Sequence, residues 1–450
     1  MGSPVRSNRG IEENTLAILD SSGIRDSRDI HDDRLAFLEA VRLVSLTSKP
    51  SSAPTWNMYN AVFRIFRDGT SLEEIMTSYQ LLVELEKHYP RLCLVDQSKF
   101  ESTFGGACEL VVVKETWSPF VGSVESAHAD DVETSRSSDS LLDAHLLKNL
   151  VLLQYLVHVL EGDFLPRETV YKATMKWIFL RESLLSLILG SRKINIRYFI
   201  QDCMTIISGG FVRHKSGRFH DLENVETFLP GVVEEPDLTL LYATLEMGKK
   251  TVIAVEKLLI LVIRLDMHRK VADIQGYTSR ADAIRVPLME MIVDQLSYNK
   301  DVISPFLLAF SEPKWKLEII MQYFWKYCHR APVHTRRSKN SSDDATFETI
   351  LKYFSNGPST QTLVRKMSSE VVQLLLAHGF QAYLSSVWHN SKLLADIEET
   401  LKDVPLLQIS KGLICAYENI KKNNDGIRLS AFEKEALFTA ATIVALDSQF

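Results

Sequence analysis

A helical spacing of apolar residues recurs along this chain, and it limits the fold more than any other feature. For example, Met58, Val62, Ile65 and Phe66 follow one another at intervals of three and four residues, which places them on one helix face. The alternation of apolar and polar residues that marks a half-buried strand is nearly absent, and only one short strand is predicted, at 110–113. We therefore predict an all-α fold built as an α-solenoid-like stack of paired amphipathic helices. An irregular all-α fold is the alternative, because no clean repeat period is visible.

Helix boundaries can be predicted from capping residues, prolines and glycines. Ser71 and Glu74 form a capping box at the start of a helix that is predicted to end at Pro90. A second helix is predicted to begin at Pro166 and to end at Gly190, since proline favours the first turn and glycine the position after the last.

Composition divides the chain into helical regions and polar loops. The loops are poor in apolar residues and rich in Ser, Gly and charged residues. The predicted regions are a flexible N-terminus at 1–30, an N-terminal helical layer at 31–91, an irregular loop region at 92–139, central helices at 140–208, a loop at 209–236 and a C-terminal helical array at 237–450.

Composition also restricts the class of protein. The 450 residues are 46% hydrophobic and carry a formal net charge of −6, so the whole chain has no electrostatic attraction for nucleic acid. The five cysteines are scattered and include no C-x-x-C pair, which favours a reducing compartment. The N-terminus lacks the apolar core of a secretory signal, and the longest apolar run, 150–160, is too short to span a bilayer. We expect a soluble intracellular protein without a membrane partner.

No catalytic or cofactor-binding motif stands out. The Walker phosphate loop, a dinucleotide-binding G-x-G-x-x-G after a strand, H-E-x-x-H and G-x-S-x-G do not occur. Cys328, His329 and His334 lie close together, but no fourth zinc ligand stands at a suitable spacing. A half-buried cysteine at a helix end with solvated histidines is the simpler interpretation. We predict no cofactor, no metal site and no enzymatic activity.

The remaining histidines have structural explanations. His145, His158 and His378 lie inside apolar helices, where core or interface histidines are the usual occurrence. Asp266 and His268 stand together where a long apolar helix that begins at residue 238 is predicted to end. Since a cation at a helix C-terminus is stabilised by the helix dipole, no acid–base role is needed to explain this pair.

The strongest charged feature is a basic segment at 312–339. Its cations face only two acids, and its second half is polar. Two functional interpretations are a contact with nucleic acid or an acidic partner, and a nuclear-import signal; a solvated loop after a buried helix is the structural alternative. The cations of this segment are Lys314, Lys316, Lys326, Arg330, Arg336, Arg337 and Lys339.

A second charged stretch precedes a helix that is predicted to begin with Pro287 in its first turn. Its glycines are too few for a phosphate-binding loop. Arg280 and Arg285 are interpreted as polar anchors that pair with nearby acids such as Asp273 or Asp282 and fix a turn between two helices. A contact with a partner is the alternative function for both arginines.

Several stretches in order resemble one plant family. They include "MYNAVFRIFRDGTSLEEIMTSYQLL", "LPRETVYKATMKW", "GYTSRADAIRVPLMEMIVDQLSYN" and "EPKWKLEIIMQYFWKY". The chain resembles the negative regulators of systemic acquired resistance, also called suppressors of NPR-inducible immunity, over most of its length. The segments at 98–108, 122–139, 209–236 and 386–400 have no resemblance that can be placed.

The resemblance implies an irregular armadillo/HEAT-like stacked helical array with long polar loops, located in the nucleus. It implies repression of defence-gene transcription and of homologous recombination. It also implies a role in DNA-damage repair as a regulatory subunit of the SMC five-six complex, paired with a second non-SMC helical subunit and reaching chromatin indirectly. The family has no known catalytic residues.

Three hypotheses follow. The first is a nonenzymatic scaffold or adaptor that acts through surface complementarity. The second is a direct DNA-binding transcriptional repressor that uses the basic segment at 312–339. The third is an enzyme whose site is assembled from residues distant in sequence.

Overall fold

The computed structural model describes residues 27–47, 53–69, 71–89, 138–190, 196–208, 238–278, 288–328, 346–393, 404–423 and 428–447. Over these residues it contains sixteen α-helices, one π-helical turn at Leu43–Thr47, and no strand. The prediction of an all-α array is therefore confirmed, while the strand predicted at 110–113 lies outside the described residues. The helices are α1 Ser27–Arg42, α2 Trp56–Asp68, α3 Leu72–His88, α4 Ser138–Thr174, α5 Ile178–Arg181, α6 Leu184–Leu189, α7 Ile196–Ile207, α8 Leu238–Ile274, α9 Leu288–Tyr298, α10 Lys300–Ala309, α11 Pro313–Cys328, α12 Phe347–Phe354, α13 Gly357–Met367, α14 Ser369–Leu393, α15 Val404–Asn423 and α16 Ala431–Asp447.

The chain divides into two compact units, Met1–Arg285 and Val286–Phe450. The finer subdivision into six regions given above stays a prediction.

The first unit is organised around two long helices, α4 and α8, of 37 residues each. At 1.5 Å per residue each helix is about 55 Å long. Three polar contacts connect them: Gln154 with Thr251, Glu161 with Lys257, and Glu168 with Arg264. Along these three contacts the residue numbers rise on both helices, so α4 and α8 run parallel. A parallel pair requires a long crossover, which the segment 175–237 provides.

Buried residues of α8 follow a seven-residue repeat. Thr251, Leu258, Leu265 and Ala272 on α8 are each no more than 2% exposed. Polar residues at 154, 161 and 168 on α4 have the same spacing. A repeat of seven keeps one side of a helix against its partner over many turns, and we call this face of α8 the inner seam.

The predicted helix start at Pro166 is wrong. α4 passes through Pro166 and continues to Thr174. A proline inside a helix loses one backbone hydrogen bond and costs about 3 kcal/mol. The burial of most side chains between Leu147 and Leu160 on the same helix offsets this cost. The chain breaks instead at Met175, which has a φ of 55°, and Gly190 caps the short α6.

The capping box predicted for α3 is half formed. Ser71 Oγ accepts a hydrogen bond from Glu74 N at 3.1 Å, as the pattern requires. The Glu74 carboxylate instead contacts α1, where His31 Nδ1 lies 2.9 Å away and Arg34 Nη1 lies 3.3 Å away. Glu74 therefore connects α1 to α3 while its backbone begins the helix.

The second unit has an aromatic core. Among its largest fully buried side chains are Phe306, Phe310, Tyr323, Phe324, Phe354 and Phe380. Gly379 of α14 lies against Phe347 of α12. A Cβ atom at position 379 would be only 2.6 Å from Phe347 Cε2, so a larger residue there would clash.

Candidate partner-binding surfaces

Part of the basic segment lies on α11, where its lysines do not share one face. At about 100° per residue, Lys314, Lys316 and Lys326 point in three directions around the helix. Lys314 is exposed and its Nζ lies 5.0 Å from the centre of the Trp315 ring. Lys326 Nζ is 2.7 Å from Asp294 Oδ1 of α9. The described lysines therefore do not form a continuous basic strip.

Lys316 belongs to the surroundings of a buried histidine. His378 is 2% exposed, and its ring stacks on Phe432 with centres 4.2 Å apart. Burial lowers the pKa of His378, and the positive charge of Lys316 lowers it further, to about 4. His378 is therefore a neutral core side chain that joins α14 to α16, as expected from the sequence.

The other candidates from the basic and arginine-containing segments lie outside the described residues. Their roles remain predictions. They are Arg280, Arg285, Arg330, Arg336, Arg337 and Lys339.

The other histidines and Cys328 do not assemble a reactive site. His158 is half-buried, and burial lowers its pKa. Burial raises the pKa of the Cys328 thiol to about 11, so the nucleophilic thiolate is disfavoured. His329 and His334 lie outside the described residues, as does the side chain of His145. No group of three metal-ligating side chains occurs within the part of the chain that the structure describes.

The interpretation of Asp266 and His268 as neighbours at a helix end is wrong. α8 continues to Ile274 and ends at Gly276, whose φ is 75°, with Tyr277 N donating to Ala272 O at 2.9 Å. This is a Schellman ending, in which glycine adopts the left-handed conformation. His268 therefore lies well inside the helix, and the helix dipole does not explain it.

His268 belongs to a cluster around Glu168 that the sequence did not reveal. The Glu168 side chain is 4% exposed, and its Oε1 atom lies 3.0 Å from Arg264 Nε, 2.7 Å from His268 Nε2 and 3.1 Å from Lys172 Nζ. Burial alone would raise the pKa of Glu168. Hydrogen bonds from Arg264, His268 and Lys172 outweigh burial and hold the pKa below its usual value.

Two further carboxylates have structural roles nearby. Asp163 accepts from Arg167 Nε at 2.8 Å and from Leu184 N at 2.7 Å, so it caps α6 from α4. Asp266 is paired with Arg269 and Lys270 on its own helix. Asp163 therefore joins α4 to α6, Asp266 pairs within α8, and neither carboxylate is arranged as a nucleophile with its base.

The described residues thus define an all-α protein whose buried charges join one helix to another. None of the helices searched within the described ranges is both long and apolar enough to cross a membrane.

Comparisons with known proteins identify the family. A sequence model of the SNI1 middle domain matches residues 132–312, and one of the SNI1 C-terminal domain matches residues 328–448. The "Negative regulator of systemic acquired resistance SNI1" of Arabidopsis thaliana is 35% identical over 453 residues, which covers 96% of this chain and 94% of that protein. No solved structure gives a significant match. The chain belongs to the SNI1 family, a family of regulators by name rather than of enzymes, and the resemblance found in the sequence is confirmed.

Proposed function

We propose that this chain is a nonenzymatic nuclear scaffold that represses defence-gene transcription and homologous recombination. In this proposal it acts in DNA-damage repair as a regulatory subunit of the SMC five-six complex. The observation that carries the proposal is the 35% identity, over 96% of the chain, to a protein named as a negative regulator of systemic acquired resistance. The nuclear location, the repair role and the complex go beyond that name.

The architecture suits a protein that works by holding partners. Two parallel helices about 55 Å long, fixed in register by Gln154, Glu161 and Glu168, provide a rigid support. A rigid helical surface binds partners with a small loss of conformational entropy. Repression in this proposal is indirect: a second non-SMC helical subunit binds the scaffold, and chromatin is reached through the complex.

Affinity purification of the tagged full chain from nuclear extract tests this proposal. We expect a second helical subunit and the SMC proteins in near-equal amounts with the tagged chain, together with enrichment in the nuclear fraction over the cytosolic one. Recovery of the tagged chain alone from nuclei would contradict the proposal.

Direct DNA binding is the second candidate function. The exposure of Lys314 at the start of α11, within a segment that also carries Arg336 and Arg337, favours it. A titration with duplex DNA at several salt concentrations distinguishes the two. Direct binding predicts a steep loss of affinity with salt and a shallower slope for Arg336→Ala with Arg337→Ala, by about one unit per lost phosphate contact.

The control for this titration is Lys326→Ala. Lys326 is paired with Asp294, so its replacement should leave the salt dependence of DNA affinity unchanged. An absence of binding at low salt rejects direct contact with DNA.

A further inference from the structure

α8 carries a second apolar line besides the inner seam. Ile253, Ile260, Met267 and Ile274 recur at every seventh residue, each two positions after a member of the inner seam. Two residues correspond to about 200° around a helix, so this line lies on the side of α8 opposite the inner seam. We call it the outer seam.

The outer seam is accessible where the inner seam is covered. Ile253 is 56% exposed, Met267 39% and Ile274 87%, while Ile260 is half-buried. Val271, which is 42% exposed, lies between the last two members on the same side. Over 21 residues the line is about 32 Å long. Single exposed apolar residues are common, but four apolar residues at a seven-residue spacing on one helix face, three of them exposed, mark an interaction site.

The outer seam is bordered by positive charge. Among the charged residues within about a quarter turn of it, cations outnumber acids. The acids are the exposed Glu246 and the buried Glu256. Lys257, Arg264 and Lys270 each pair with a carboxylate that is less exposed than the cation itself, so these three cations are more accessible to a partner than their carboxylates. Lys249 pairs with the exposed Glu246. The cations are Lys249, Lys250, Lys257, Arg264 and Lys270.

We propose that the outer seam is the docking surface for an amphipathic α-helix of a partner protein. The apolar residues of that helix repeat every seven residues, and its flanks carry Asp and Glu. The seven-residue spacing lets two helices pack knobs into holes over three heptads with a left-handed supercoil, and acidic flanks complement the bordering lysines. This inference rests on the proposed scaffold function and names the chemistry of the partner.

Charge and shape argue against two other occupants. A second copy of the chain, paired through the same seam, would bring Lys257 and Lys270 of one copy against lysines of the other, since a two-fold interface uses the same patch twice. An anionic membrane surface is bound by helices with a broad apolar face. The opposite side of α8 is buried against its own unit, and only a narrow line of side chains remains available.

Site-specific photocrosslinking in the native protein tests the proposal. The full chain is expressed in plant cells with a photoreactive amino acid at position 267 or 274, and at position 308 as the control, because Leu308 is 64% exposed on another helix. After irradiation of intact cells, the crosslinked peptides are mapped by mass spectrometry.

Positions 267 and 274 are expected to crosslink to one segment of another protein with heptad-spaced apolar residues and more Asp and Glu than Lys and Arg. Position 308 is expected not to crosslink to that segment. Crosslinks to a second copy, to lipid, to no molecule, or to a segment without this pattern would overturn the proposal.

A variant separates failure of the docking surface from failure of the proposed function. Met267→Glu with Ile274→Glu should reduce recovery of the crosslinked partner at least about tenfold, with an unchanged helical circular dichroism signal because both side chains are exposed. Leu308→Glu is the matched control and should leave recovery unchanged. If the double variant still recovers the complete nuclear complex, the docking surface is wrong while the scaffold function stands. If the unaltered chain recovers no nuclear complex, the proposed function fails, and the crosslinks in whole cells still decide the docking surface.

Discussion

Glu168 holds the parallel pair of long helices together, and its replacement should loosen them. Glu168→Gln removes the buried charge that faces Arg264, His268 and Lys172. Breaking a buried ion pair on one side costs about 3–5 kcal/mol. Arg264 is a quarter exposed, so we expect the lower end, about 3 kcal/mol, because water can hydrate part of the freed guanidinium.

Hydrogen exchange of the α8 amides, followed by mass spectrometry on the intact chain, measures this loss. About 3 kcal/mol corresponds to protection factors roughly 100-fold lower across the C-terminal third of α8, around Arg264 and His268. The matched control is Glu161→Gln, seven residues earlier on α4, where the pair with Lys257 is solvent-exposed. That pair contributes about 0.5 kcal/mol, so protection should fall about twofold. Equal effects of the two variants would refute the idea that the buried cluster fixes the register.

Two further predictions concern the second unit. Burial and the charge of Lys316 lower the pKa of His378 to about 4 in the folded chain from its ordinary value of 6.5, so the unfolded chain binds the proton first as the pH falls. Stability should therefore drop by about 2 kcal/mol between pH 7 and pH 5, and His378→Phe should remove that part of the pH dependence in urea titrations. Ser368 has a φ of 76° and a ψ of 151°, a region suited to glycine. Ser368→Gly should raise the free energy of unfolding by about 1 kcal/mol. Ser368→Ala should lower it by about 1 kcal/mol, because it keeps the strain and loses the hydroxyl that accepts from Val371 N; the same sign for both variants would contradict this explanation.

Local patterns predicted those helices whose ends depend on nearby residues. α2 follows the apolar spacing in the sequence, and Ser71 begins α3 through its own hydroxyl. Predictions failed where tertiary packing outweighs a local signal. α4 continues through Pro166, and α10, which contains Pro305, was not anticipated at all.

The charged cluster of the first unit could not be found from sequence spacing. Glu168 and Arg264 are 96 residues apart, and only the parallel pairing of α4 and α8 brings them together. The seven-residue spacing of the polar residues at 154, 161 and 168 is a signal that could have located it. The outer seam has the same kind of signal, since Ile253, Ile260, Met267 and Ile274 follow a seven-residue repeat in the sequence itself.

The claim that this chain represses defence genes by docking to partners is tested most directly by measuring defence-gene transcripts in uninfected plants. Plants that lack the chain are complemented with the unaltered protein, or with Met267→Glu and Ile274→Glu together, at equal protein levels. We predict that the unaltered protein lowers the transcripts and that the double variant leaves them high. Full repression by the double variant would contradict docking through the outer seam, and the absence of repression by the unaltered protein would contradict the regulatory role itself.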